Sequence, residues 1–158
     1  MPLPSILLPY DGDKDYLDAT AMTRDEIFKL VERIEPESVT VFLDACYTGG
    51  TRSEDITLVA GKRPVRVEAL NQSVPRGFKI LSASASDETS MALEAAEHGM
   101  FSYFLMKAME GDADANNDNQ ITMAEMRDYV KDKVVRQSNF QQTPELQGDA
   151  ARVLVRFQ

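Results

Sequence analysis

Apolar residues recur along this chain at two periods, and the positions where the period changes divide it into helices and strands. Ile27, Leu30, Val31 and Ile34 fall at helical spacing directly after Thr23-Arg-Asp-Glu26, a capping box in which a hydroxyl and a carboxylate satisfy each other's backbone amides. A helix over about residues 24–34 is predicted, with that face inward. Residues 39–45 are apolar nearly throughout, as in a strand covered on both faces of a mostly parallel sheet. Residues 78–84 resume the sheet, residues 5–10 suggest a short earlier strand, and residues 152–157 a last one. Phe101, Phe104, Leu105, Ala108 and Met109 mark an amphipathic helix closed by Gly111. A second capping box, Thr122-Met-Ala-Glu125, opens another helix with Met126, Tyr129, Val130 and Val134 inward. Between residues 48 and 77 the pattern dissolves into Gly, Pro, Ser and charge, with short strands conceivable only at 56–59 and 65–70. Helices alternating with such strands give an α/β fold, in which two strands deliver small polar residues to one sheet edge, where open α/β sheets bind ligands.

Composition narrows the functions available. The 158 residues suit one domain over 1–158, and 26 acidic against 17 basic side chains leave a net charge of -9. That charge argues against an electrostatic grip on nucleic acid or on an anionic membrane, and favours basic ligands and divalent cations. A single cysteine forms no internal disulfide, and no stretch approaches the roughly 20 apolar residues of a membrane span. The first nine residues are proline-broken and lack the positive segment of a signal peptide. A soluble, cytoplasmic protein is expected.

The one cysteine, Cys46, sits where the strand over 39–45 breaks into Gly49-Gly50. A thiol there is presented to a crevice, and the glycines let backbone amides turn toward a developing oxyanion. Its alternative is a small, inert, buried apolar residue. Asp44, two positions earlier on the same strand face, either lines a pocket beside the thiol or accepts backbone amides in the turn.

Asp44-Ala-Cys46-Tyr-Thr-Gly49 resembles the cysteine motif of metacaspases and bacterial caspase-like peptidases. Further segments are similar to that family in the same order: Leu7-Leu-Pro-Tyr-Asp11, Leu81-Ser-Ala-Ser-Ala-Ser-Asp-Glu-Thr-Ser90, His98-Gly-Met-Phe-Ser-Tyr-Phe-Leu105 and Gln142-Thr-Pro-Glu-Leu-Gln-Gly148. The resemblance implies a caspase-like sheet flanked by helices, with Cys46 as the acylated nucleophile and Asp44 as the acid that selects Arg or Lys before the scissile bond. A buried carboxylate needs a cationic partner, and such a substrate supplies one. The family often carries a further acid two residues after a Thr-Ser pair; that place is Ala92 here, leaving Asp87 as a lesser contributor. The implied partner is a peptide or protein with a basic residue before the cut.

A cysteine nucleophile needs an imidazole to take its proton and return it to the leaving amine. In caspases that histidine lies roughly 50 residues upstream of the cysteine, which from Cys46 falls before Met1. The single histidine, His98, lies downstream, in a segment the resemblance makes structural. The expectation is therefore a C-terminal portion of a caspase-like domain, inactive alone, whose base comes from a missing N-terminal portion or a partner chain. Arg52, Lys62, Arg63, Arg66 and Arg76 make residues 52–76 either an autoprocessing loop or an ordinary solvated one.

Asp114, Asn116, Asp118, Gln120, Thr122 and Glu125 occupy positions 1, 3, 5, 7, 9 and 12 of an EF-hand-like loop over 114–125, with Ile121 at the apolar eighth position. Position six is Asn119 where Gly is usual, and Asn tolerates the left-handed backbone. Carboxylates of Asp114, Asp118 and Glu125, the Asn116 amide oxygen and the Gln120 carbonyl suit Ca2+, with Thr122 acting through water. The bland reading is a solvated linker before a capped helix. Asp11, Asp13 and Asp15 lack a distal Glu and read as a turn. A non-catalytic pseudoprotease scaffold and a calcium-binding regulatory module are the rivals to an enzyme: the first ignores loss of Cys46, and the second fails on loss of Glu125.

Overall fold

The computed structural model describes residues 6–7, 9, 11–13, 15–44, 74–85, 92–93 and 98–158. A short ribbon opens the chain: β1 (Ile6–Leu7) runs antiparallel to β2 (Met22–Thr23), with the four-residue α1 (Leu17–Thr20) between them. The acids before α1 form a turn, as expected. Asp13 Oδ1 accepts the Asp15 N–H at 2.8 Å, and Thr20 Oγ1 accepts the Asp13 N–H at 2.9 Å.

α2 (Arg24–Glu32) starts at the predicted capping box: Thr23 Oγ1 accepts the Glu26 N–H at 3.2 Å and Glu26 Oε2 accepts the Thr23 N–H at 2.8 Å. Those bonds from Thr23, the backbone one foremost, hold the Glu26 carboxyl below its ordinary value. The inward face differs from the predicted one. Phe28 is buried and Val31 partly so, whereas Leu30 is 51% and Ile34 76% exposed. The reason is a better partner: Phe28 meets Phe78 at 5.1 Å between ring centroids, and Arg24 lies over the Phe28 ring, turning the helix about its axis.

β3 (Val39–Leu43) and β4 (Phe78–Ser82) pair in parallel, Val39 opposite Phe78 through Leu43 opposite Ser82. β5 (Ala92–Leu93) and β6 (His98–Gly99) form a small antiparallel ribbon that runs directly into α3 (Met100–Lys107). α3 continues into a π-helical segment, Ala108–Asp112, where Gly111 at φ 122° turns the chain. Phe101 and Ala108 are fully buried as predicted, but Met109 is 37% exposed, because the wider π turn rotates it outward. β7 (Gln120–Thr122) leads through the second capping box into α4 (Met123–Gln137), on which Met126, Val130 and Val134 are fully buried. β8 (Glu145–Gln147) adds to β4 antiparallel, giving a mixed sheet in the order β3-β4-β8, and β9 (Val153–Arg156) pairs with β7.

Alternation along the strands sorts the core into two layers. Val39, Val41 and Leu43 join Phe28, Phe78 and Ile80 beneath α2, while Phe42, Leu81 and Ala83 join Phe101, Met126 and Val130 beneath α3 and α4. An α/β sheet covered by helices is thus the architecture, as the pattern of strands and helices implied. No helix among the described residues is long and apolar enough to cross a membrane.

Candidate functional site

The carboxyl ends of β3 and β4 form the edge to which the sequence assigned the chemistry. Leu43 O accepts the Ala83 N–H at 2.7 Å, which carries the strand pairing one step past β4 and fixes the backbone on which Asp44 stands. Asp44 follows Phe42 on the α3-facing side and is partly buried. Its Oδ2 accepts the Ser102 hydroxyl of α3 at 2.6 Å, the short distance of a charge-assisted bond. Of the two readings of Asp44, the structure therefore adds a third element: a side chain on a neighbouring helix holds the acid, whatever else it contacts.

The rest of the edge is built from buried polar groups. Gln142 is fully buried, its Nε2 donates to Ala83 O at 2.9 Å, and its N–H donates to Ser138 Oγ at 3.0 Å. Ser82 Oγ donates to Glu145 O at 3.3 Å, and Ser84 is 1% exposed. Gln142 thus ties the segment after α4 to the end of β4, where a carbonyl past the last ladder bond would otherwise be orphaned. Ser102 and Gln142 were not singled out as site residues from sequence. The available signal for Ser102 was a lone small hydroxyl in the apolar run Met100 to Leu105.

Cys46, two residues beyond Asp44, and Asp87 lie outside the described residues, as do residues 45–73 that carry most of the basic loop. For His98 the backbone is described: it belongs to β6 opposite Leu93, and Gly99 after it is the N-cap of α3. It occupies the helix-opening segment that the sequence suggested.

The acidic loop folds around its first residue. Asp114 Oδ1 and Oδ2 accept the N–H groups of Asp118 and Asn119 at 3.2 and 3.0 Å, Asn116 Oδ1 accepts the Asp118 N–H at 2.9 Å, and Asp118 Oδ1 accepts the Gln120 N–H at 2.9 Å. Asn117 and Asn119 take φ of 58° and 60°, the left-handed conformation expected at position six. Ile121 is fully buried and pairs with Val155. Glu125 is committed differently: its Oε2 accepts both the N–H and the hydroxyl of Thr122, at 2.9 and 2.8 Å. Among the described residues no three Asp, Glu, His or Cys side chains are gathered closely enough to hold a metal. The first half of the loop fits a hard cation in donor type and backbone, and Glu125 would have to swing from its cap to complete the set.

A model of the caspase domain, a peptidase family, matches residues 5–155. The chain belongs to the caspase family. A comparison with curated proteins gave no match. The match spans the ribbon at β1, the sheet, α2 to α4 and most of β9, so the resemblance read from the motifs and the α/β architecture agree. As a caspase-family domain, the chain falls among the cysteine peptidases, which hydrolyse peptide bonds through a thiol nucleophile.

Proposed function

We propose that this caspase-family chain is the cysteine-bearing part of an endopeptidase that cuts after Arg or Lys. Cys46 attacks the scissile carbonyl, and Asp44 pairs with the basic side chain that precedes it. The observation that carries the reading is the Asp44 carboxylate, partly buried at the end of β3, anchored on α3 and two residues before the only thiol. A carboxylate kept in such a place favours a guanidinium or ammonium ligand, since the desolvation it has already undergone strengthens its attraction for a cation. Asp87 contributes further negative charge to the same pocket. The general base in this reading is an imidazole from outside these residues, because the one histidine, His98, lies downstream of Cys46 in a segment that the family resemblance makes structural.

Calcium is the second part of the reading. Asp114, Asn116, Asp118, the Gln120 carbonyl and Glu125 hold the ion, with Thr122 contributing through water. Bound there, Ca2+ would supply charge neutralisation for the acids between the π segment and α4. The preorganised Asp114 turn and the left-handed Asn119 support this over a plain linker.

Chemical rescue tests the peptidase reading. The chain is incubated with a blocked peptide bearing a fluorogenic amide after Arg, with and without exogenous imidazole. Negligible hydrolysis without imidazole, and turnover with it that disappears in Cys46→Ala and on replacing Arg by citrulline, is the expected result. Hydrolysis by the chain alone would place the base within it, and the absence of any Cys46-dependent turnover would favour the scaffold reading. Calcium titration by calorimetry against Asp114→Asn tests the loop separately.

A further inference from the structure

Resting on the reading of Asp44 as the specificity acid, we infer that Ser102 is the positioning residue of the basic-side-chain pocket, fixing the Asp44 carboxylate from α3 so that it meets a cation in one orientation. Ser102 is the third residue of α3, where a hydroxyl contributes little to the helix itself. The capping position belongs to Gly99, which offers no side-chain bond, and the neighbours Met100 and Phe101 are buried apolar core. The hydroxyl is directed away from its own helix to a carboxylate 58 positions earlier, at 2.6 Å.

That bond completes a chain of constraints. The backbone at Asp44 is set by the parallel pairing of β3 with β4 and by the Ala83 N–H on Leu43 O at 2.7 Å. On the side chain, the Ser102 hydroxyl restrains the torsions by holding Oδ2. The carboxylate then lies against the first turn of α3. A carboxylate has about four lone-pair positions, of which the Ser102 hydroxyl takes one. Loss of the hydroxyl removes this constraint, and the ligand must bear that part of the ordering cost on binding.

The test compares the affinities of the full chain for two blocked peptides that differ only in arginine against its neutral isostere citrulline. The arginine-to-citrulline affinity ratio is the readout, because a merely structural loss weakens both peptides alike. Ser102→Val is expected to lower the ratio about three- to tenfold, in line with the net loss of one ordinary hydrogen bond, and Ser102→Thr, equal in size to the valine, to keep it. Ser102→Ala serves as a second variant if the valine disturbs folding. A ratio unchanged in Ser102→Val and Ser102→Ala, but abolished in Asp44→Asn, would overturn the positioning role and leave the pocket reading standing. A wild-type chain that does not distinguish the peptides, or an Asp44→Asn variant that keeps the distinction, would remove the pocket reading and this inference with it.

Discussion

Gly148 and Gly111 both take positive φ, 106° and 122°, yet replacing them by alanine should cost very different amounts. Gly148 follows β8 and crosses β4 so closely that an added Cβ would stand 2.5 Å from Phe78 O and 3.1 Å from Lys79 Cα. Both atoms are backbone of the fully buried strand β4, so neither yields without moving the sheet. At Gly111 the nearest atom to an added Cβ is Phe157 Cζ at 3.8 Å, an ordinary contact. The conformational term is shared and amounts to about 1–2 kcal/mol for a side chain forced into positive φ. Only Gly148→Ala adds an overpacking term of about 1–3 kcal/mol. The expected destabilisation is thus about 1–2 kcal/mol for Gly111→Ala and about 2–5 kcal/mol for Gly148→Ala, a large part of the roughly 5–15 kcal/mol that holds a domain together. Urea unfolding followed by far-ultraviolet circular dichroism measures both. If the two variants lose the same stability within about 0.5 kcal/mol, the close passage of β8 over β4 is wrong.

Other variants probe separate joints. Phe28→Ala should destabilise by about 3–5 kcal/mol while Ile34→Ala changes little, since the first packs on Phe78 and the second is 76% exposed; thermal unfolding of the pair reports which face of α2 is inward. Thr122→Ala should cost about 1 kcal/mol through loss of the α4 cap, visible as earlier urea unfolding and faster amide exchange at the helix start. Tyr129 donates to Asp112 at 3.0 Å, and burial, followed by that bond, pushes its hydroxyl from 10.0 up to about 12. Its folded-state value lies above the unfolded one, so the contribution is complete below about pH 10 and lost as pH rises to about 12. Allowing for partial exposure this is about 1–2 kcal/mol, and Tyr129→Phe should flatten the fall in stability across that window.

Local chemistry was the most legible part of the sequence. Both capping boxes, at Thr23 and Thr122, start helices where they were read, because each is settled within four residues. The strands at Val39 and Phe78 were equally plain, since strands covered on both faces read as mostly apolar runs. What the sequence left open was set by partners far along the chain. Periodicity offered Leu30 and Ile34 for the inward face of α2, and the ring of Phe78 selected Phe28 instead. The three-residue β7 carries no strand signal of its own. It exists because β9 pairs with it, while Arg152 O and Ala150 O accept the first two amides of α4 at 2.8 Å. At the site, Asp44 was marked by its motif, whereas Ser102 is a donor only by virtue of the packing of α3 on β3.

The central claim is that Asp44 and Cys46 form a cation-selecting thiol site, and charge-selective modification of Cys46 tests it most directly. The only cysteine in the chain is treated with a cationic and with a neutral methanethiosulfonate of matched size, and the ratio of the two rates is compared between the wild type and Asp44→Asn. This ratio cancels the accessibility of the thiol, and the comparison cancels the general attraction of a chain of net charge -9. A ratio that favours the cation and falls about three- to tenfold in Asp44→Asn is the predicted result. An unchanged ratio would mean that the carboxylate held by Ser102 does not act at the thiol.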